Sequence, residues 1–138
     1  MNIEMAYLIG MILGNGEIQK GNHETIVTID IPHKNLYTDD FKDVKIYVKA
    51  SIADIRDIVE PLIGSNLKLT QENRSTIISF VKPNEEYVMR QILKFVGNGR
   101  KHSTMEMNPD LFSMTSDEKK SLLRGIADVT AVSYTHLR

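Results

Sequence analysis

Residues Tyr7–Glu17 read YLIGMILGNGE, an apolar run with glycines at Gly10 and Gly14 that breaks at Gly14-Asn15-Gly16. Residues Ile3 to Leu13 are apolar almost all round, so they predict a buried helix rather than a half-solvated one. Gly10 and Gly14 are four apart and share one face of that helix. A face without side chains lets a second backbone approach closely. Gly14, Asn15 and Gly16 are expected to end the helix, because glycine and asparagine tolerate positive φ there.

The chain has 138 residues, 41% apolar and 25% charged, a globular composition long enough for one core. Its formal net charge is −1, so contact with a polyanion needs local clusters of Lys and Arg. It has no cysteine, which excludes a disulfide framework, a thiolate zinc site and a cysteine nucleophile. The apolar run is too short to span a bilayer and has no secretory flank, so a cytoplasmic protein is the expectation.

Outward from the opening helix, Glu17–Lys20 and Glu24–Ile31 read as a hairpin about Gly21-Asn22, with Val27, Ile29 and Ile31 on one face and Thr28 and Asp30 on the other. Val44–Lys49 alternates too, and reads as a strand that sets Lys45, Tyr47 and Lys49 on a basic face. Ser51 can cap a helix with Ile52, Ile55, Val59 and Leu62 on one stripe, stopped by Gly64. Leu67–Gln71 and Thr76–Val81 form a second predicted hairpin with Arg74 at its tip. Asn84 is expected to cap a further helix that ends at Gly97. Thr115 and Glu118 have capping-box spacing and open a last helix through Leu122, Leu123, Gly125 and Ile126.

YLIGMILGNGE resembles the signature helix of the LAGLIDADG homing endonucleases, and LLRGIADVT, Leu122 to Thr130, is similar to the same signature opening a second repeat. The order helix, hairpin, helix, hairpin, helix is similar to one repeat of that α+β fold, with an insertion at about Leu36 to Lys49. The resemblance covers residues 1–131: a first repeat over 1–114 and the start of a second signature helix over 115–131. It implies that the two signature helices cross at Gly10, Gly14 and Gly125. It also implies a saddle-shaped sheet that reads double-stranded DNA in the major groove.

The activity implied is a DNA endonuclease of homing or restriction type, hydrolysing phosphodiesters with Mg²⁺ held by carboxylates at the two helix ends. The chain departs from the pattern there. Asn15 and Thr130 stand where the family carries acids, and neutral oxygens bind a hard dication far less well than two carboxylates. Glu17 and Asp128 are the neighbouring carboxylates that can supply the charge. A solvated strand start for Glu17 and a helix-surface position for Asp128 are the plainer readings. The alternative function is a non-catalytic DNA-binding or regulatory protein on the same scaffold.

On the DNA side, Gln19, Thr28, Lys68, Thr70 and Arg74 match places where the family reads DNA. Lys45, Tyr47 and Lys49 suit phosphate contacts, or an edge strand protected from aggregation. Arg100, Lys101 and His102 read as a phosphate clamp or as a solvated loop. His23 and His33 have no paired ligand at metal spacing. The methionines read as core filler.

The last residues, AVSYTHLR, resemble the translation of a transposon-end adapter used in sequencing libraries. On that reading Val132–Arg138 are a scar, to be left out of fold reasoning, and the chain stops inside its second signature helix. A seam helix deprived of its partner exposes an apolar face, and self-association is the expectation.

Overall fold

The computed structural model describes residues 2–32, 41–64, 67–71, 75–96, 99–100, 109 and 113–130, and of 41–51 and 99–100 the backbone. Arg74, Lys101, His102 and the adapter-like 132–138 lie outside the described residues.

Helix α1, Ile3–Asn15, starts at Asn2, whose side chain accepts from the Met5 amide at 2.7 Å. Strands β1, Gly16–Lys20, and β2, Glu24–Pro32, form the first hairpin. Helix α2, Phe41–Ile63, comes next, then β3, Lys68–Gln71, and β4, Ser75–Pro83. Helix α3, Tyr87–Phe95, the short β5, Gly99–Arg100, and helix α4, Ser116–Thr130, complete the order. The fold is α+β, with one antiparallel sheet in the order β3-β4-β2-β1-β5.

Side chains alternate between the two sheet faces because a strand has a period of two. Val27, Ile29 and Ile31 of β2 pair in register with Phe80, Ile78 and Thr76 of β4, and all six are buried. This covered face joins α1, Ile52, Ile55, Val59 and Ile63 of α2, and Met89, Ile92 and Phe95 of α3 in one core. Among the described residues, therefore, the helices occupy one side of the sheet and leave the other open.

Several expectations change. Helix α1 ends at Asn15, inside the expected Gly14-Asn15-Gly16, but not through positive φ: Gly16 follows at φ −110°, and what its missing side chain spares is an overlap with the Ile12 backbone, 2.7 Å from a Cβ there. Among the described residues only Gly64, after α2, has positive φ, at 83°. The strand expected at Val44–Lys49 is the first half of α2, so Lys45, Tyr47 and Lys49 lie on a helix. The apolar spacing explains the error. Val44 and Val48 belong to a run at i, i+4 that continues through Ile52, Ile55, Val59 and Ile63, and over six residues it mimics alternation.

Asn84 does not cap α3, which begins after Glu86 without a side-chain cap bond. It ties the first hairpin down instead: its Nδ2 donates to the Gly21 carbonyl at 3.0 Å, its Oδ1 accepts from the Thr25 hydroxyl, and its amide donates to the His23 carbonyl. The Thr115–Glu118 capping box is formed, with the Thr115 amide donating to Glu118 Oε1 at 2.9 Å and the Glu118 amide to Thr115 Oγ1 at 3.2 Å. Hydrogen bonding from the Thr115 backbone amide, and then from its side chain, holds the Glu118 carboxyl below its usual range.

Candidate nucleic-acid interface and helix seam

Helices α1 and α4 pack against each other running in the same direction. The Ser121 hydroxyl donates to the Ile3 carbonyl at 2.7 Å near their starts, and Gly14 meets Ile126 and Val129 near their ends. The contact is backbone to backbone. A Cβ on Gly10 would overlap the Leu122 carbonyl oxygen and come within 3.2 Å of the Gly125 Cα. On Gly125 it would overlap the Tyr7 carbonyl oxygen and sit 2.9 Å from the Met11 nitrogen. Met5 through Ile12 are all buried, so the seam helix expected to lie uncovered is covered by α4 of its own chain.

Two polar contacts cross the seam. The Tyr7 hydroxyl donates to Asp128 Oδ2 at 2.6 Å, and Arg124 Nε lies 3.8 Å from the same oxygen, with its guanidinium 5.4 Å from the centre of the Tyr7 ring. Burial, and then the hydrogen bond and charge of Asp128, push the Tyr7 hydroxyl far above the ordinary tyrosine range. It stays a donor. At the far end, Asn15 Nδ2 donates to the Asp30 carbonyl at 2.7 Å and reaches the Val129 carbonyl at 3.5 Å. Thr130 turns back onto its own helix, donating to the Ile126 carbonyl at 2.6 Å.

The open sheet face carries Glu17 and Gln19 of β1, Ile26, Thr28 and Asp30 of β2, Ile77, Ser79 and Val81 of β4, and Lys68 and Thr70 of β3. The pairing register places these side chains on it. Lys68, Ser79, Thr28 and Glu17 form one row across four strands, and the register extends it to Arg100 of β5. Gln19, Ile26 and Val81 form a neighbouring row. Gln19 Nε2 donates to Glu17 Oε1 at 3.3 Å. The face is polar rather than basic, since Glu17, Glu24 and Asp30 share it with Lys68.

The structure thus gathers Gln19, Thr28, Lys68, Thr70 and Glu17 on one surface and leaves Lys45, Tyr47 and Lys49 on α2. It separates Glu17, on the sheet, from Asp128, which faces Tyr7 across the seam. The donor chemistry does not fit a divalent ion at the helix ends. Asn15 turns its amide nitrogen to two carbonyls, Thr130 is bonded into α4, and Asp128 Oδ2 is held by the Tyr7 hydroxyl beside Arg124. Among the described residues no three His, Asp or Glu side chains converge as a metal shell would.

Sequence reasoning missed Tyr7, Arg124 and the part that Asp30 plays at the seam end. The signal for Tyr7 was present, because a hydroxyl inside an apolar helix must find a partner. Asp30 gave no such signal. Its Oδ1 is buried and has no hydrogen-bond partner among the described residues.

No protein-family profile matches the chain, and no curated protein matches it. Solved structures do. The chain is similar to the crystal structure of I-DmoI in complex with DNA and Mn, with a TM-score of 0.48 and 17% identity, covering 93% of this chain and 63% of that one. It is also similar to a serine-substituted I-DmoI in complex with its target DNA in the presence of Mg, with a TM-score of 0.46, 15% identity, and 92% and 61% coverage. Mesophilic variants from the homing endonuclease I-DmoI give a TM-score of 0.45 and 16% identity, with 92% and 58% coverage. The chain spans about three fifths of the length of these proteins.

Proposed function

We propose that this chain is part of a site-specific DNA-binding protein on the homing-endonuclease scaffold, and that its open sheet face docks on double-stranded DNA. The observation that carries this reading is the row of Lys68, Ser79, Thr28 and Glu17, with Gln19 in the neighbouring row. Polar side chains in ranks on an antiparallel sheet present donors and acceptors to base edges, and the major groove admits a two-stranded β-ribbon. Gln19 matches adenine N6 and N7, Lys68 matches guanine O6 and N7, and Glu17 accepts from cytosine N4. The acidic members make this a base-reading surface more than a phosphate-neutralising one.

The finer form of the reading is a nuclease that hydrolyses phosphodiesters with Mg²⁺, and Glu17 and Asp128, each two residues in sequence from Asn15 and Thr130, are the carboxylates that such chemistry would draw on. The engagement of Asp128 with Tyr7 and Arg124 favours the second form, DNA recognition without cleavage. Selection of duplexes from a randomised library by this protein, followed by incubation in Mg²⁺ or EDTA, tests both. An enriched duplex that stays intact in Mg²⁺ supports recognition alone; Mg²⁺-dependent nicking at that site supports the nuclease. Failure to retain any duplex at low salt overturns the DNA reading.

A further inference from the structure

We infer that Asn15 is a donor clasp that closes the end of the α1–α4 seam, and that this end of the seam is built to work without a divalent cation. The inference stands on the seam itself and does not depend on DNA being bound. Both partners of Asn15 Nδ2 are carbonyl oxygens, Asp30 O at 2.7 Å and Val129 O at 3.5 Å, which only accept. Only the NH₂ end of the amide can satisfy them, so the orientation of Asn15 follows from its neighbours. One side chain on α1 thereby reaches both β2 and α4.

The surroundings make an anion unwelcome. Helix α1 ends here, and the carbonyls of its last turn bring partial negative charge. Neither α1 nor α4 has a basic residue in its last turn to offset it. Asp30, whose backbone carbonyl Asn15 holds, carries a buried Oδ1 with no hydrogen-bond partner among the described residues. An aspartate at position 15 would turn an acceptor and a full charge toward two carbonyls. The asparagine is thus the group the local field requires, and a carboxylate there loses two hydrogen bonds and gains repulsion.

The test is thermal unfolding by circular dichroism of the chain as it is, with Asn15→Asp and Asn15→Ala, each with and without millimolar Mg²⁺ or Mn²⁺. The expected result is a midpoint for Asn15→Asp on the order of 5 °C below the parent and no higher than that of Asn15→Ala, unmoved by either metal. A ligand that bound only the folded form would raise the midpoint by mass action. An Asn15→Asp midpoint at or above the parent's, or above that of Asn15→Ala, overturns the clasp. So does a rise of the parent or of Asn15→Asp in metal. If Asn15→Asp does not fold, calorimetric titration of the parent with Mn²⁺ decides: no saturable heat supports the inference, and a saturable isotherm overturns it.

Discussion

The Tyr7 hydroxyl and Asp128 Oδ2 lie 2.6 Å apart across the two seam helices, 121 residues apart in sequence. The bond joins the first turns of α1 to the last turn of α4, alongside the close approach at Gly125. It gives Asp128, read from the sequence as a substitute metal ligand, a structural partner. Both neighbours meet the same carboxylate oxygen, the Tyr7 hydroxyl as a donor at 2.6 Å and Arg124 Nε as a charge at 3.8 Å.

Removing that donor should cost stability. Tyr7→Phe leaves Asp128 without its hydroxyl partner in a half-buried setting, a loss of about 1–2 kcal/mol. Asp128→Asn is expected to cost less, because an amide oxygen still accepts from Tyr7. Urea unfolding of the two variants measures the difference. Equal loss in both would mean that the charge of Asp128, not the Tyr7 donor, holds the contact.

The same pair sets an alkaline limit. Because the Tyr7 hydroxyl is raised above its unfolded value, its contribution is fully present below the ordinary tyrosine pKa of about 10 and is lost as pH rises above it. Stability should therefore fall from about pH 10 upward more steeply in the parent than in Tyr7→Phe. Denaturation midpoints measured on both sides of that pH test it; parallel profiles would remove Tyr7 as the cause.

Two glycines should respond to alanine for different reasons. In Gly125→Ala the new methyl meets the Tyr7 carbonyl and the Met11 nitrogen, backbone atoms that cannot rotate away, so the helices must part. A loss of about 3 kcal/mol or more, or failure to fold, is expected. Gly64 has open space around its Cβ position but a φ of 83°. Gly64→Ala should cost only about 1 kcal/mol of backbone strain. Chemical denaturation of the two variants side by side checks the order; a Gly64→Ala loss as large as that of Gly125→Ala would show that packing was misread.

What could be read in the chain divides along the range of the interactions. The capping box at Thr115 and Glu118 is local, and its two residue types three apart were enough. The alternation of Val27, Ile29 and Ile31 against Thr28 and Asp30 was read correctly because nine residues of strand leave little ambiguity. Val44–Lys49 was misread because valines at i and i+4 satisfy a strand and a helix equally over so short a window. The partners of Asn15 and Asp128 were beyond reach. They are set by how α1 and α4 slide along each other, and the Asp30 and Val129 carbonyls carry no mark in the sequence.

The placement of the lysines separates two pictures of DNA contact. Lys68 is exposed on the open face, in register with Ser79 and Thr28, whereas Lys45 belongs to α2, which packs on the helical side of the sheet. A lysine that neutralises a phosphate of B-DNA contributes about 0.9 to the slope of log affinity against log salt. For the proposed face, Lys68→Ala should flatten that slope by about this amount if Lys68 meets a phosphate. If Lys68 meets a guanine edge instead, it should leave the slope unchanged and cost about 1–3 kcal/mol on the selected duplex alone. Gln19→Ala, carrying no charge, should follow the second pattern. Lys45→Ala should change neither slope nor affinity. Fluorescence anisotropy on the selected duplex and on a scrambled one, across a salt series, reads all three variants. A Lys45→Ala effect with Lys68→Ala silent would move the DNA from the sheet to the helices.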